Sequence, residues 1–167
     1  NASTIANNMV DGMGQGGGLQ NDNNGSVSLM VSTISGNNSA TNGGGISNSG
    51  SIMITNSTVA MNSTSGMGGG IQVTDTSMVV IAGSIIATNA ADGMGQDIVG
   101  SGMITSEGYN FIGEDDGDVY AADTTDIEGE AGLAEDPNLA PLADNGGGTM
   151  THALQCPSDA VNGGNPN

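Results

Sequence analysis

The sequence predicts an all-β fold, a right-handed three-sided parallel β-helix of about four to five coils with an irregular acidic C-terminal tail. Two observations predict it. A unit of 25 to 29 residues recurs along residues 1–113, and each unit combines short aliphatic runs with turns rich in glycine and asparagine. Such units stack into a solenoid, because a single unit cannot bury its apolar face alone.

Three segments of each unit predict strands. The first contains an aliphatic anchor, the second follows a glycine cluster, and the third alternates at period two, which places its aliphatic side chains on one face. The anchors are Ser3-Thr4-Ile5, Ser32-Thr33-Ile34, Ser57-Thr58-Val59 and Ser84-Ile85-Ile86. The second segments begin at Leu19, Ile46, Ile71 and Ile98, and the third contain Val27/Leu29, Ile52/Ile54 and Val79/Ile81, with Ile104 as a last repeat. Stacked units would align these aliphatic residues in an internal column.

An asparagine follows each anchor by three residues, at Asn8, Asn37, Asn62 and Asn89. In stacked coils each side-chain amide can donate to the amide carbonyl of the next coil, and asparagine tolerates the left-handed backbone of a sharp corner. We expect a structural ladder, with a ligand site as the alternative. Asn37, Asn56 and Asn62 also lie in glycosylation sequons, which the expected burial of the ladder argues against.

The charge of the chain excludes some partners. It has 18 acidic residues and no lysine or arginine, so nothing can neutralise phosphates, and nucleic-acid binding is excluded. The same composition disfavours anionic lipid, and no apolar run reaches the ~20 residues of a membrane span. A chain that starts at Asn1 without a signal-like segment is expected to be mature or trimmed. Cys156 is the single cysteine, expected as a half-buried thiol.

The pattern changes near residue 107, and residues 107–136 hold 11 of the 18 acidic groups. We therefore divide the chain into coils over 1–113 and an acidic loop with a closing segment over 114–167. The stretch from Glu114 to Asp118 offers hard oxygen ligands around a glycine, which suits Ca²⁺. Asp115, Asp116 and Asp118 are the candidate ligands, with a solvated acidic loop as the alternative.

Several stretches of the second half carry a family resemblance. They are Gly108-Tyr109-Asn110-Phe111-Ile112-Gly113, the segment from Asp136 to Leu154 that reads DPNLAPLADNGGGTMTHAL, and Ser158 to Pro166. Together with the upstream repeats they resemble the "choice-of-anchor Q" domain of bacterial surface and secreted β-helix proteins. The resemblance implies that a strand at 108–113 closes the helix and that the chain is extracellular or displayed on a cell surface. The chain departs from that family in ending at Asn167 without an arginine-containing segment and in lacking basic residues.

The sequence contains few residues that could support catalysis. A polysaccharide lyase needs a strong base, usually arginine or lysine, and the chain has neither. Asp92 and Asp97 are the carboxylate pair that a glycosidase would need, but tryptophan platforms are missing. His152 and Cys156 allow a Cys-His pair, although His152 also belongs to the family-like tail.

Two surface hypotheses remain. Met13, Met67 and Met94 lie eight residues after their anchors and predict either packing at a corner or a stripe for soft metal. Thr4, Thr33 and Thr58 form one threonine column, which a water-organising, ice-binding face would use.

We therefore expect a non-catalytic extracellular structural protein, an adhesive, matrix or filament subunit. Open solenoid ends present unpaired strand edges, so a homo-oligomer or a head-to-tail polymer is expected, with neither nucleic acid nor membrane insertion. The alternative is a carbohydrate-binding or carbohydrate-active β-helix domain, for which a glycan would be the partner.

Overall fold

The computed structural model describes residues 2–74, 76–115 and 120–166, and these form a parallel β-helix of about four turns. Every pairing between its named strands is parallel, and the described residues contain no helix. Accordingly, no helix in the described ranges could cross a membrane. The predicted fold class is confirmed.

The strands stack in four columns, one strand of each column per coil. The first column contains β1 (Thr4–Ala6), β5 (Thr33–Ser35), β9 (Thr58–Ala60), β13 (Ile85–Ala87), β17 (Phe111–Asp115) and β19 (Ile127–Glu130). The second contains β2 (Met9–Val10), β6 (Asn38–Ser39), β10 (Ser63–Thr64) and β14 (Ala90–Ala91). The third contains β3 (Leu19–Asn21), β7 (Ile46–Asn48), β11 (Ile71–Val73) and β15 (Ile98–Gly100), and the fourth contains β4 (Ser26–Met30), β8 (Ser51–Thr55), β12 (Met78–Ala82), β16 (Met103–Ser106) and β18 (Tyr120–Ala121).

The aliphatic alignment predicted from the repeat is confirmed by the strand register. In the first column the aligned residues are Ile5, Ile34, Val59, Ile86 and Ile112. In the third they are Leu19, Ile46, Ile71 and Ile98, and in the fourth Val27, Ile52, Val79 and Ile104 beside Leu29, Ile54 and Ile81. These side chains form one continuous core along the axis. Its stability comes from burying branched aliphatic side chains, which pack well on pleated strands.

The second column was not predicted. Its strands have two residues each and carry small or polar side chains such as Ser39 and Thr64, so no alternating aliphatic pattern marks them. The three predicted strand columns are therefore the ones that line the core, and the short column continues the coil between the first and the third.

The backbone at the coil corners shows that the ladder asparagines do not themselves adopt the predicted left-handed conformation. The left-handed residue at this corner is the one before each ladder asparagine, and the residues are Asn7, Gly36, Met61 and Thr88. A second corner repeats the arrangement at Val31, Asn56, Gly83 and Tyr109, and a third at Gly16, Gly43, Gly68 and Gly95. The ladder asparagines are thus selected for their amide groups, whereas the strained backbone falls on their neighbours.

The tail crosses the outer face of the first column. Within it, Ala143 and Thr151 form an antiparallel bridge. The Thr4 hydroxyl donates to Met150 O at 2.9 Å, and Ser35 Oγ lies 2.8 Å from His152 Nε2. The tail therefore contacts both the first and the second coil.

This placement corrects the threonine-column hypothesis. Thr33 is buried and Thr4 is bonded to the tail, so the column does not form the exposed face that ice binding would use.

Candidate functional site

The four predicted asparagines form a continuous hydrogen-bonded ladder. Asn8 Nδ2 donates to Asn37 Oδ1, Asn37 Nδ2 to Asn62 Oδ1, and Asn62 Nδ2 to Asn89 Oδ1, each at 2.9 Å. The backbone N–H of each donor residue reaches the same oxygen at 3.0 Å. Asn37 and Asn62 are fully buried, so the predicted burial of their sequons is confirmed. Asn56, whose sequon lies outside the ladder, is exposed.

The ladder ends on a buried carboxylate. Asn89 donates to Asp97 Oδ1 from its backbone N–H at 2.9 Å and from Nδ2 at 2.8 Å. Burial raises the pKa of Asp97 to about 6 against the lowering effect of these bonds, and the charge of Glu114 adds to the rise. Gly113 leaves space for this carboxyl, because a Cβ at that position would collide with Oδ2.

A second ladder, which sequence reasoning missed, runs along the next corner. Ser32 N–H donates to Ser57 Oγ at 3.0 Å, Ser57 N–H to Ser84 Oγ at 3.1 Å, and Ser84 N–H to Asn110 Oδ1 at 2.9 Å. Asn110 N–H then donates to Asp126 Oδ1 at 2.8 Å. The serine that opens each anchor, as at Ser32, Ser57 and Ser84, is the sequence signal for this second ladder.

The amino-terminal end of the helix is an open edge. In the described ranges β1, β2, β3 and β4 each lie at the end of their sheet order and pair on one side only. Val31 N–H bonds Thr55 O of the next coil. Because alternate residues of a strand face opposite neighbours, the N–H of Ser28 faces the open side. Such edges offer rows of unpaired donors and acceptors to another strand.

The predicted calcium ligands are only partly described. Asp116 and Asp118 lie outside the described residues. Asp115 is buried in β17, and its Oδ2 accepts the Tyr120 N–H at 3.2 Å. No group of three or more histidine, cysteine, aspartate or glutamate side chains in the described ranges is placed to hold a metal ion. Calcium remains an expectation from the sequence.

The candidate catalytic residues have structural partners. Asp97 Oδ1 accepts the last two hydrogen bonds of the asparagine ladder, both from Asn89. His152 Nδ1 lies 2.7 Å from Ala140 O, so this nitrogen carries the proton, and Nε2 accepts from Ser35 Oγ. Ser35 is buried, which shields that pair. Cys156 is exposed, not half-buried as predicted.

All ten methionines are exposed, between 39% and 94% of their full area. Met67 and Met94 occupy equivalent places, since Gly43 N–H bonds Met67 O and Gly68 N–H bonds Met94 O. Met13 lies three residues before its corner glycine, Gly16, because the first coil is two residues longer here. The predicted methionine stripe therefore has two members, and these stand outside the core.

One apolar cleft lies between the tail and the helix, with a volume of about 200 Å³. Tyr109, Phe111, Ile127 and Leu154 contribute its apolar walls, and Asn110 a polar group. Tyr109 is half-buried and has φ +59°, the backbone conformation that its corner imposes on every coil.

Comparison of the chain with family models, with curated proteins and with solved structures finds no match in any of the three.

Proposed function

We propose that the chain is a non-catalytic extracellular structural protein, an adhesive, matrix or filament subunit that assembles through its open solenoid end. The open amino-terminal edge carries the proposal. At this edge the backbone groups of β1 to β4 can form hydrogen bonds with strands of a neighbouring molecule, which would continue the same parallel stack. The resemblance of its tail to choice-of-anchor Q domains supports a bacterial surface or secreted location.

The side chains with the most chemical reactivity, Asp97 and His152, are engaged in structural hydrogen bonds, which supports a structural role. Asp97 ends a ladder, and His152 fastens the tail to β5 through Ser35. Each of these side chains holds a contact between different parts of the chain. In the proposed assembly Ca²⁺ bound near Asp115 would offset the repulsion between acidic neighbours.

The proposal is tested by sedimentation velocity and electron microscopy over a range of concentrations, with and without a chelator. We expect assemblies that grow with concentration and that weaken in Ser28→Pro, because proline removes a donor from the open edge. Ser28→Thr keeps the donor and is the matched control. Monodisperse monomers of the unmodified chain under all conditions would contradict self-assembly.

A second candidate function, glycan binding, is favoured by the cleft beside Tyr109. A half-buried aromatic ring at the wall of an apolar cleft is the kind of surface on which a sugar can stack. Saturable retention on a glycan array, lost in Tyr109→Asn, would support it. Asparagine is the matched replacement, because Asn56 occupies the equivalent left-handed position at the same corner in the second coil.

A further inference from the structure

The two ends of the helix differ in hydrogen-bonding chemistry. Within the asparagine ladder the bonds between amides all run toward the carboxyl-terminal end, and the Oδ1 atoms of Asn37, Asn62 and Asn89 each accept from the preceding coil. Asn8 donates in the same direction, but no described residue donates to its Oδ1. The amino-terminal end therefore presents an acceptor where the ladder would receive one more amide.

The carboxyl-terminal end is closed at the same ladder. Asn89 already gives both its backbone N–H and its amide to Asp97, and an ionised carboxylate has no proton to donate further. The second ladder closes in the same way on Asp126, whose Oδ2 also accepts the Tyr120 hydroxyl at 2.8 Å.

Some backbone groups at this end are also bound, although β18 and β19 each pair with another named strand on one side only. The Gln96 side chain binds the outermost strand of the second column, since Ala91 N–H donates to Oε1 at 2.8 Å and Nε2 donates to Ala91 O at 3.3 Å. On the first column, Glu135 N–H bonds Gly113 O of β17 at 2.8 Å. At the ends of its two ladders a second copy of the chain would thus offer Asn8 carboxylates and no amide donor.

From this asymmetry we infer that the open amino-terminal end binds a further parallel β-coil that places an amide donor over Asn8, and that it binds such a coil more tightly than the carboxyl-terminal end of a second copy. The inference rests on the proposed assembly through this end and names the partner. The existing contacts between coils define what the partner coil must carry at this position. It needs a residue in the left-handed conformation followed by asparagine, as in Gly36-Asn37. The first coil is also poor in charge, with Asp11 and Asp22 as its acidic residues before Ser32.

An added coil tests the surface directly. A copy of residues 32–56 is placed immediately before Ser3, in the register that joins Asn56 to Ser57, so that its copy of Asn37 lies over Asn8. We expect backbone amide exchange in β1 to β4 to slow by about tenfold or more, because an edge becomes an interior position. The same addition with Asn37→Asp in the copy places a carboxylate against the Asn8 oxygen and should lose most of this protection. Unchanged exchange in both proteins, or equal protection in both, would overturn the inference.

Sedimentation of the unmodified chain separates this inference from the proposed function. Head-to-tail filaments of the unmodified chain would support the proposed assembly, and the amide exchange of the two extended proteins then decides whether an amide donor over Asn8 is preferred to a carboxylate. Protection by the added coil together with a monomeric unmodified chain would support the surface and count against self-assembly.

Discussion

Asn89 Nδ2 donates to Asp97 Oδ1 at 2.8 Å, whereas every earlier rung of this ladder joins two amides. The exchange of an amide for a carboxyl gives the ladder a terminus with no donor. It also places a titratable group in a nearly solvent-free position, since Asp97 is only 2% exposed.

Asp97 should make stability depend on pH. Its folded pKa is raised to about 6 from 3.8 by burial, so the folded state binds the proton more tightly than the unfolded state. The resulting stabilisation is complete below pH 3.8 and is lost as pH rises through 6, on the order of 3 kcal/mol in all. Urea unfolding between pH 4 and pH 8 measures this loss.

Asp97→Asn is the control for the other carboxyls. It keeps an acceptor for Asn89 and removes the titration, so its free energy of unfolding should vary less with pH than that of the unmodified chain. Its absolute stability gains little, because Nδ2 of the new amide would face the Glu114 N–H that donates to the carboxyl. Parallel pH curves for the two proteins would contradict the assignment.

Among the ladder asparagines, Asn62 should be the one whose substitution lowers the free energy of unfolding most. Its Oδ1 accepts two bonds from Asn37, and its Nδ2 also reaches Ile34 O at 3.0 Å, all in the buried interior. Asn62→Ala leaves these groups without partners and should cost about 3 kcal/mol or more. Asn38→Ala in the preceding coil removes one half-buried bond to Ser63 Oγ and should cost about 1 kcal/mol. Equal losses of unfolding free energy in the two variants would show that the ladder is not a structural column.

The repeat predicted the core and the ladder because both consist of like residues at a fixed spacing. Ile34, Val59 and Ile86 could be aligned from the sequence, and so could Asn37 and Asn62. The ladder's end could not be read this way, since Asp97 belongs to a glycine-containing turn and reaches Asn89 from eight residues along the chain. The course of the tail over Thr4 and Ser35 also depends on long-range contacts, which local periodicity does not encode.

Val31 is a β-branched residue at a corner that requires the left-handed backbone conformation, which valine disfavours. It has φ +50°, a left-handed conformation that crowds a β-branched side chain, and its side chain is mostly exposed. Val31→Asn should stabilise the chain by about 1 kcal/mol, because asparagine tolerates this conformation. Asn56 holds the same place in the next coil with φ +48°, so Asn56→Val should lose a similar amount. Denaturant unfolding of both variants checks the pair, and a destabilised Val31→Asn would contradict the explanation.

The surface placement of the methionines predicts that their oxidation leaves the fold intact. Hydrogen peroxide transfers one oxygen atom to each thioether and is itself reduced to water, which makes the side chain polar. All ten methionines lie outside the core, so mass spectrometry should find up to ten added oxygen atoms while the circular dichroism spectrum and the unfolding midpoint stay nearly unchanged. Met13, at 94% exposure, should react early.

Ile71→Met supplies the matched control for this experiment, because Ile71 is 1% exposed in the third column and a methionine there would fill the same apolar space. Its sulfur should react slowly, through opening of the helix, and its oxidation should lower the unfolding midpoint, since a sulfoxide in the column lacks a hydrogen-bond partner. Unfolding of the unmodified chain at the same degree of oxidation would show that at least one of its methionines supports the core.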